Sequence, residues 1–179
     1  MPNEPHYRLS ENQKIKIAQN LIDVLQKDEK LTEQTKNFIS NWILTGHEGK
    51  RKAFFDVWNI VLKNYLPTTR PVLYRSCNRV SKNGKIASFT GRFDCANRFS
   101  KGKGSLIICD TEQTLMVEED FYKVGTYEHT FFPLVNVLIN AQNSGGAGFS
   151  ERFLNDYIGE DEYIMRVDMG NMHTLKWKR

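Results

Sequence analysis

The chain has 179 residues, a mass of 20.8 kDa, 40% hydrophobic and 26% charged residues, and a formal net charge of +4. These values exclude a collagen, a coiled-coil rod and a wholly disordered chain, and they fit one domain or one domain with a helical extension. No apolar run reaches the roughly 20 residues that a membrane span needs. Nor does an apolar stretch follow Met1-Pro-Asn-Glu-Pro-His-Tyr-Arg8. Neither a membrane span nor a secretory signal is therefore expected.

Cys77, Cys95 and Cys109 are an odd number with no CxxC, which reads as reduced thiols in a cytoplasmic protein. His6, His47, His129 and His173 lack metal-ligand spacing, so no metal site is expected. The charge is unevenly distributed. From Arg70 to Lys103 nine basic residues face one acid, Asp94; from Asp110 to Asp168 three basic residues face twelve acids. The first segment suits phosphate and the second can supply carboxylates, although two solvated faces pairing with each other would read the same way.

Residues 9 to 65 read as helices. Ser10-Glu-Asn-Gln13 resembles a capping box, and Ile15, Ile17, Ala18, Leu21, Ile22, Val24 and Leu25 follow at helical spacing. Thr32 is a second N-cap for a helix with Phe38, Ile39, Trp42 and Ile43, ended by Gly46. Ala53, Phe54, Val57, Trp58, Val61 and Leu62 mark a third. Leu66-Pro-Thr-Thr-Arg-Pro71 is a linker. Short strands are expected at Val72–Arg75, Ile86–Thr90 (after an Asn83-Gly84 turn), Ser105–Cys109, Glu162–Val167 and Met172–Trp177. Arg92 to Ser100 and Phe131 to Ala141 read as helices, the latter with Pro133 in its first turn. Asn143 to Phe149 is a glycine-rich loop without GxxxxGK[ST]. The fold class is α+β, with a helical unit at 1–66 and a mixed domain at 67–179.

Three features occur in order. Tyr74-Arg75 ends the first strand. Ser88-Phe89-Thr90 lies on the second, with Ala96-Asn-Arg-Phe99 after it. Glu160-Asp-Glu162 leads into the apolar Tyr163-Ile-Met165. Together they resemble the arginine–serine–glutamate class of mono-ADP-ribosyltransferases, especially the small phage-encoded ones. The resemblance covers residues 72 to 168. It departs from the family at Thr90-Gly-Arg92, where many relatives carry another Thr or Ser, and over the long stretch 110–158.

The resemblance implies a split β-sheet domain, NAD as substrate, no metal, and a host protein acceptor in the cytoplasm of a bacterial cell. It implies phosphate contacts from Arg75. It makes Glu162 the carboxylate that stabilises a ribosyl cation, with Ser88 holding that carboxylate. Glu160 would engage an arginine acceptor. Tyr74, Phe89 and Thr90 would line the cofactor site, although Phe89 and Tyr74 suit packing equally. The chemistry agrees with these residue types. A guanidinium forks onto phosphate oxygens. An oxocarbenium-like ribose needs a nearby negative charge. Period two along a strand would put Glu160 and Glu162 on one face. Read without the resemblance, Arg75 and Glu162 form a structural ion pair and Ser88 and Thr90 are ordinary strand residues. A second reading is a nucleic-acid-binding module built on Arg70 to Lys103 with Phe89, Phe93 and Phe99. A third is a transferase acting on NAD-capped RNA or on a nucleic-acid-bound protein.

Overall fold

The computed structural model describes residues 7–46, 52–78, 84–113, 131–170 and 172–177. The chain divides into two compact units, residues 1–61 and 62–179.

The first unit holds α1 (Glu11–Gln26), α2 (Glu33–Leu44) and most of α3 (Lys52–Asn64). The capping box forms: Gln13 N donates to Ser10 Oγ at 3.2 Å, and Ser10 N donates to Gln13 Oε1 at 2.9 Å. Thr32 Oγ1 accepts from Thr35 N at 3.2 Å and starts α2. Three amphipathic faces close over Ile17, Leu21, Phe38, Trp42, Phe54 and Trp58, all buried. Trp42 meets Phe54, Phe55 and Trp58 edge-on, a favoured aromatic geometry. Ile15 departs from expectation and is 55% exposed, because it lies at the margin of the buried arc of α1. Lys14 takes the inward position in that turn and is bound by Asp56 at 2.8 Å and Glu11 at 2.7 Å.

The second unit is an α+β domain. Its strands are β1 (Val72–Cys77), β2 (Ile86–Thr90), β3 (Ser105–Asp110), β4 (Phe131–Phe132), β5 (Glu162–Arg166) and β6 (His173–Lys176). Its helices include α4 (Phe93–Ser100), α5 (Leu134–Asn143) and α6 (Glu151–Ile158). The strands form one antiparallel sheet in the order β4-β5-β2-β1-β3-β6. Its pairing is uneven. Among the described residues six Cα pairs join β1 to β3 and five join β2 to β5, but only Tyr74 opposite Thr90 joins β1 to β2. The sheet is thus nearly divided between β1 and β2.

Alternation along the strands sorts the side chains. Leu73, Ala87, Phe89, Ile107, Cys109, Phe131, Met165 and Val167 pack into one apolar core. Ser88 and Thr90, which alternate with the core residues Ala87 and Phe89 of β2, leave on the opposite face, where α4 packs: Ser76 Oγ donates to Ala96 O at 2.5 Å. All three cysteines are thiols.

Two boundaries differ from the sequence reading. Phe131 and Phe132 are not the start of a helix; they pair with Met165 and Ile164 as β4, and α5 begins after Pro133. Proline biases the residue before it to extended backbone and fixes a φ that suits a helix start, so the change of structure falls there. Residues 151–158, read as part of an unassigned stretch, form α6, whose N-cap Ser150 Oγ accepts from Phe153 N at 3.1 Å. Asn83 of the expected turn lies outside the described residues, whereas Gly84 has a φ of +80°.

Candidate active site

Ser88 and Glu162 are 74 residues apart in sequence, and Ser88 Oγ donates to Glu162 Oε1 at 2.6 Å. The register explains the contact. Ser88 pairs with Ile164 and Thr90 with Glu162, so both side chains project from the same face of adjacent strands. A hydrogen bond to a carboxylate at this distance is charge-assisted and fixes the carboxylate's rotamer.

Arg75 reaches the same residue by another route. Its Nη1 donates to the main-chain carbonyl of Ser88 at 2.8 Å, across the gap between β1 and β2. Arg75 pairs with Ile107 and stands two residues from Leu73 and Cys77, so it leaves β1 on their side, the core side, opposite to Ser88 and Glu162. Arg75 and Glu162 therefore both meet Ser88 without sharing one sheet face. Burial holds the guanidinium's pKa below its ordinary value. Its Nε is shut off from solvent and has no acceptor among the described residues. No carboxylate pairs with Arg75 among them either, which removes the reading of Arg75 and Glu162 as a structural ion pair.

Glu160 corrects the expectation of a shared strand face. It lies in the turn 159–161, and β5 starts only at Glu162. Asp161 between them has φ +51°, a left-handed conformation that breaks the two-residue repeat. The two glutamates still feel each other. Burial first, then the charge of Glu162, raise the Glu160 pKa, Asp156 adds to the shift and Arg98 opposes it.

The remaining residues divide by position. Phe89 is 2% exposed and belongs to the core, so its role is packing. Tyr74 sets its ring edge-on to Phe93 with centroids 5.6 Å apart, and Phe93 in turn meets Trp177 at 5.8 Å. Thr90 is buried, and its Oγ1 donates to Glu160 O at 2.7 Å while accepting from Arg92 N at 3.1 Å. Thr90 thus holds main chain rather than presenting a hydroxyl to solvent. Arg92 was not singled out for a role by the sequence, yet its Nη1 donates to Gly159 O at 3.2 Å. Its only signal was its place in the departure Thr90-Gly-Arg92.

Among the described residues no cluster of His, Cys, Asp and Glu is disposed to hold a metal ion, and no helix is long and apolar enough to cross a membrane. No protein-family model, curated protein or solved structure matches the chain.

Proposed function

We propose that the chain transfers ADP-ribose from NAD to an arginine of a protein acceptor and releases nicotinamide. The reading rests above all on the Ser88 Oγ–Glu162 Oε1 bond of 2.6 Å. The pairing of β2 with β5 brings together the Ser and Glu that the arginine–serine–glutamate resemblance requires to meet. The near-division of the sheet between β1 and β2, with Arg75 spanning it, is the second support.

The chemistry follows from the side chains. The resemblance gives Arg75 the diphosphate, onto whose oxygens a guanidinium can fork; in the structure its Nη1 is engaged by Ser88 O. Cleavage of the C1′–N bond sends the electron pair to nicotinamide and leaves positive charge on the ribose. Glu162, held by Ser88, stabilises that charge. A guanidinium nitrogen then bonds to C1′ and its proton passes to Glu160. A carboxylate whose pKa is raised accepts a proton more readily, which suits that role.

The test is incubation with NAD and agmatine, a small guanidine, following free nicotinamide and the mass of the product. Nicotinamide release with ADP-ribosylated agmatine is expected. Nicotinamide release without any guanidine product points to another acceptor, NAD-capped RNA among them. No release at all favours the nucleic-acid-binding reading, for which Phe93 and Phe99 remain exposed and Arg98 lies over the Phe99 ring at 5.5 Å.

A further inference from the structure

We propose that Gly91 and Arg92 position the acceptor glutamate by clamping the turn that carries it, and that this clamp controls transfer without controlling cleavage of NAD. The inference rests on the transferase reading above.

Residues 159, 160 and 161 present three consecutive main-chain carbonyls to one short segment. Arg92 Nη1 and Cys95 Sγ donate to Gly159 O at 3.2 and 3.5 Å. Thr90 Oγ1 donates to Glu160 O at 2.7 Å. Gly91 N donates to Asp161 O at 3.1 Å. A turn with every carbonyl engaged loses the freedom that ordinary loops keep. Arg92 is itself fixed at its far side, where Nε and Nη2 fork onto Asp94 at 3.2 and 2.9 Å. One guanidinium therefore ties the start of α4 to the turn.

Gly91 contributes by what it lacks. A Cβ there would overlap the Asp161 carboxylate and approach the Tyr163 ring to 3.3 Å. Asp161 fills that space while its backbone holds φ +51°. Any side chain at 91 must therefore displace Asp161, and with it the adjoining Glu160. Glu162 is insulated from such a shift because it is in register with Thr90 on β5 and bonded to Ser88.

Four variants test this: Arg92→Ala, Arg92→Lys, Gly91→Ala, and Gly91→Ala combined with Asp161→Gly, which empties the contested space and suits a positive φ. Transfer to agmatine and nicotinamide release to water are measured in parallel. Arg92→Ala and Gly91→Ala should each lower the kcat of transfer by about tenfold or more, leaving release to water within about twofold. Arg92→Lys should recover part of the transfer, because one donor can still reach Gly159 O but the fork to Asp94 is lost. The double variant should recover more than Gly91→Ala alone. A merely structural role would lower both rates together and would not be rescued in this order. Wild-type transfer in both Arg92→Ala and Gly91→Ala overturns the inference and leaves the proposed function standing. If the wild type releases no nicotinamide, the function fails, and hydrogen exchange over residues 155–163 judges the clamp alone. Faster exchange in Arg92→Ala supports it, and unchanged exchange overturns it.

Discussion

Thr90 stands opposite Glu162 where β2 meets β5, and on its other side it forms, with Tyr74, the single pair joining β2 to β1 among the described residues. The seam of the sheet and the start of the carboxylate strand therefore meet at one buried residue. Its hydroxyl is both donor and acceptor, to Glu160 O and from Arg92 N.

Replacing Thr90 by Val keeps the β-branched shape and removes only the oxygen. Two main-chain groups then lose their partner beside a residue that is 6% exposed. Arg92 is exposed and its N–H can turn to water, so the loss is mainly that of one part-buried bond, and Thr90→Val should lower stability by about 1 to 3 kcal/mol in urea titration. A wild-type midpoint would mean that water replaces the hydroxyl at no cost.

Much of the architecture was legible because it rests on local signals. Ser10 and Thr32 announced their helices through side-chain capping, and Ile86–Thr90 followed a glycine turn with the length and residue types of a strand. The failures arose where tertiary context decides. Phe131 and Phe132 are as apolar as helix residues, and only pairing with β5 makes them a strand. Glu160 and Glu162 obey the spacing of a strand, but Asp161 at positive φ turns the backbone between them. Ser88 and Glu162 became a pair in the sequence only through the resemblance. Arg92 was out of reach, since its contact is with a carbonyl 67 residues away.

Arg75 has one donor engaged by Ser88 O and a buried Nε with no described acceptor. Arg75→Ala should weaken NAD binding by roughly 1.5 to 3 kcal/mol, the range for a hydrogen bond to a charged group. Arg75→Lys should not restore it, because an ammonium cannot bridge Ser88 O and a phosphate as a planar fork does. Calorimetric titration of NAD into each folded variant measures the effect. Equal affinity in Arg75→Ala removes Arg75 from the phosphate site.

The raised pKa of Glu160 makes stability depend on pH. Burial and the charge of Glu162 favour its protonated form in the fold. The stability associated with that form is fully present below the ordinary glutamate value and is lost as pH rises through the raised folded value. Glu160→Gln cannot ionise. It should melt above the wild type near pH 7, with the difference shrinking as the wild type is acidified and Glu160 takes up its proton. A difference that grows in acid would reverse the sign and show that the Glu160 carboxylate is stabilised in the fold.

The two glutamates should separate in kinetics. Glu162→Gln keeps the shape and removes the charge beside the ribose. It should abolish both transfer and release of nicotinamide to water, a loss of about a hundredfold or more for one electrostatic contact made in the transition state. Ser88→Ala removes the 2.6 Å bond that orients Glu162 but leaves the charge, so its loss should be smaller and should fall on kcat. Glu160→Gln should stop transfer to a guanidine yet leave release to water measurable, because water needs no partner to position a guanidinium. NAD binding should survive all three changes, since the phosphate contacts are assigned to Arg75. If Glu162→Gln releases nicotinamide at the wild-type rate, the ribosyl-cation assignment fails. If Glu160→Gln modifies agmatine normally, the turn carries no acceptor base, and the reason for holding it by three successive carbonyls lies elsewhere.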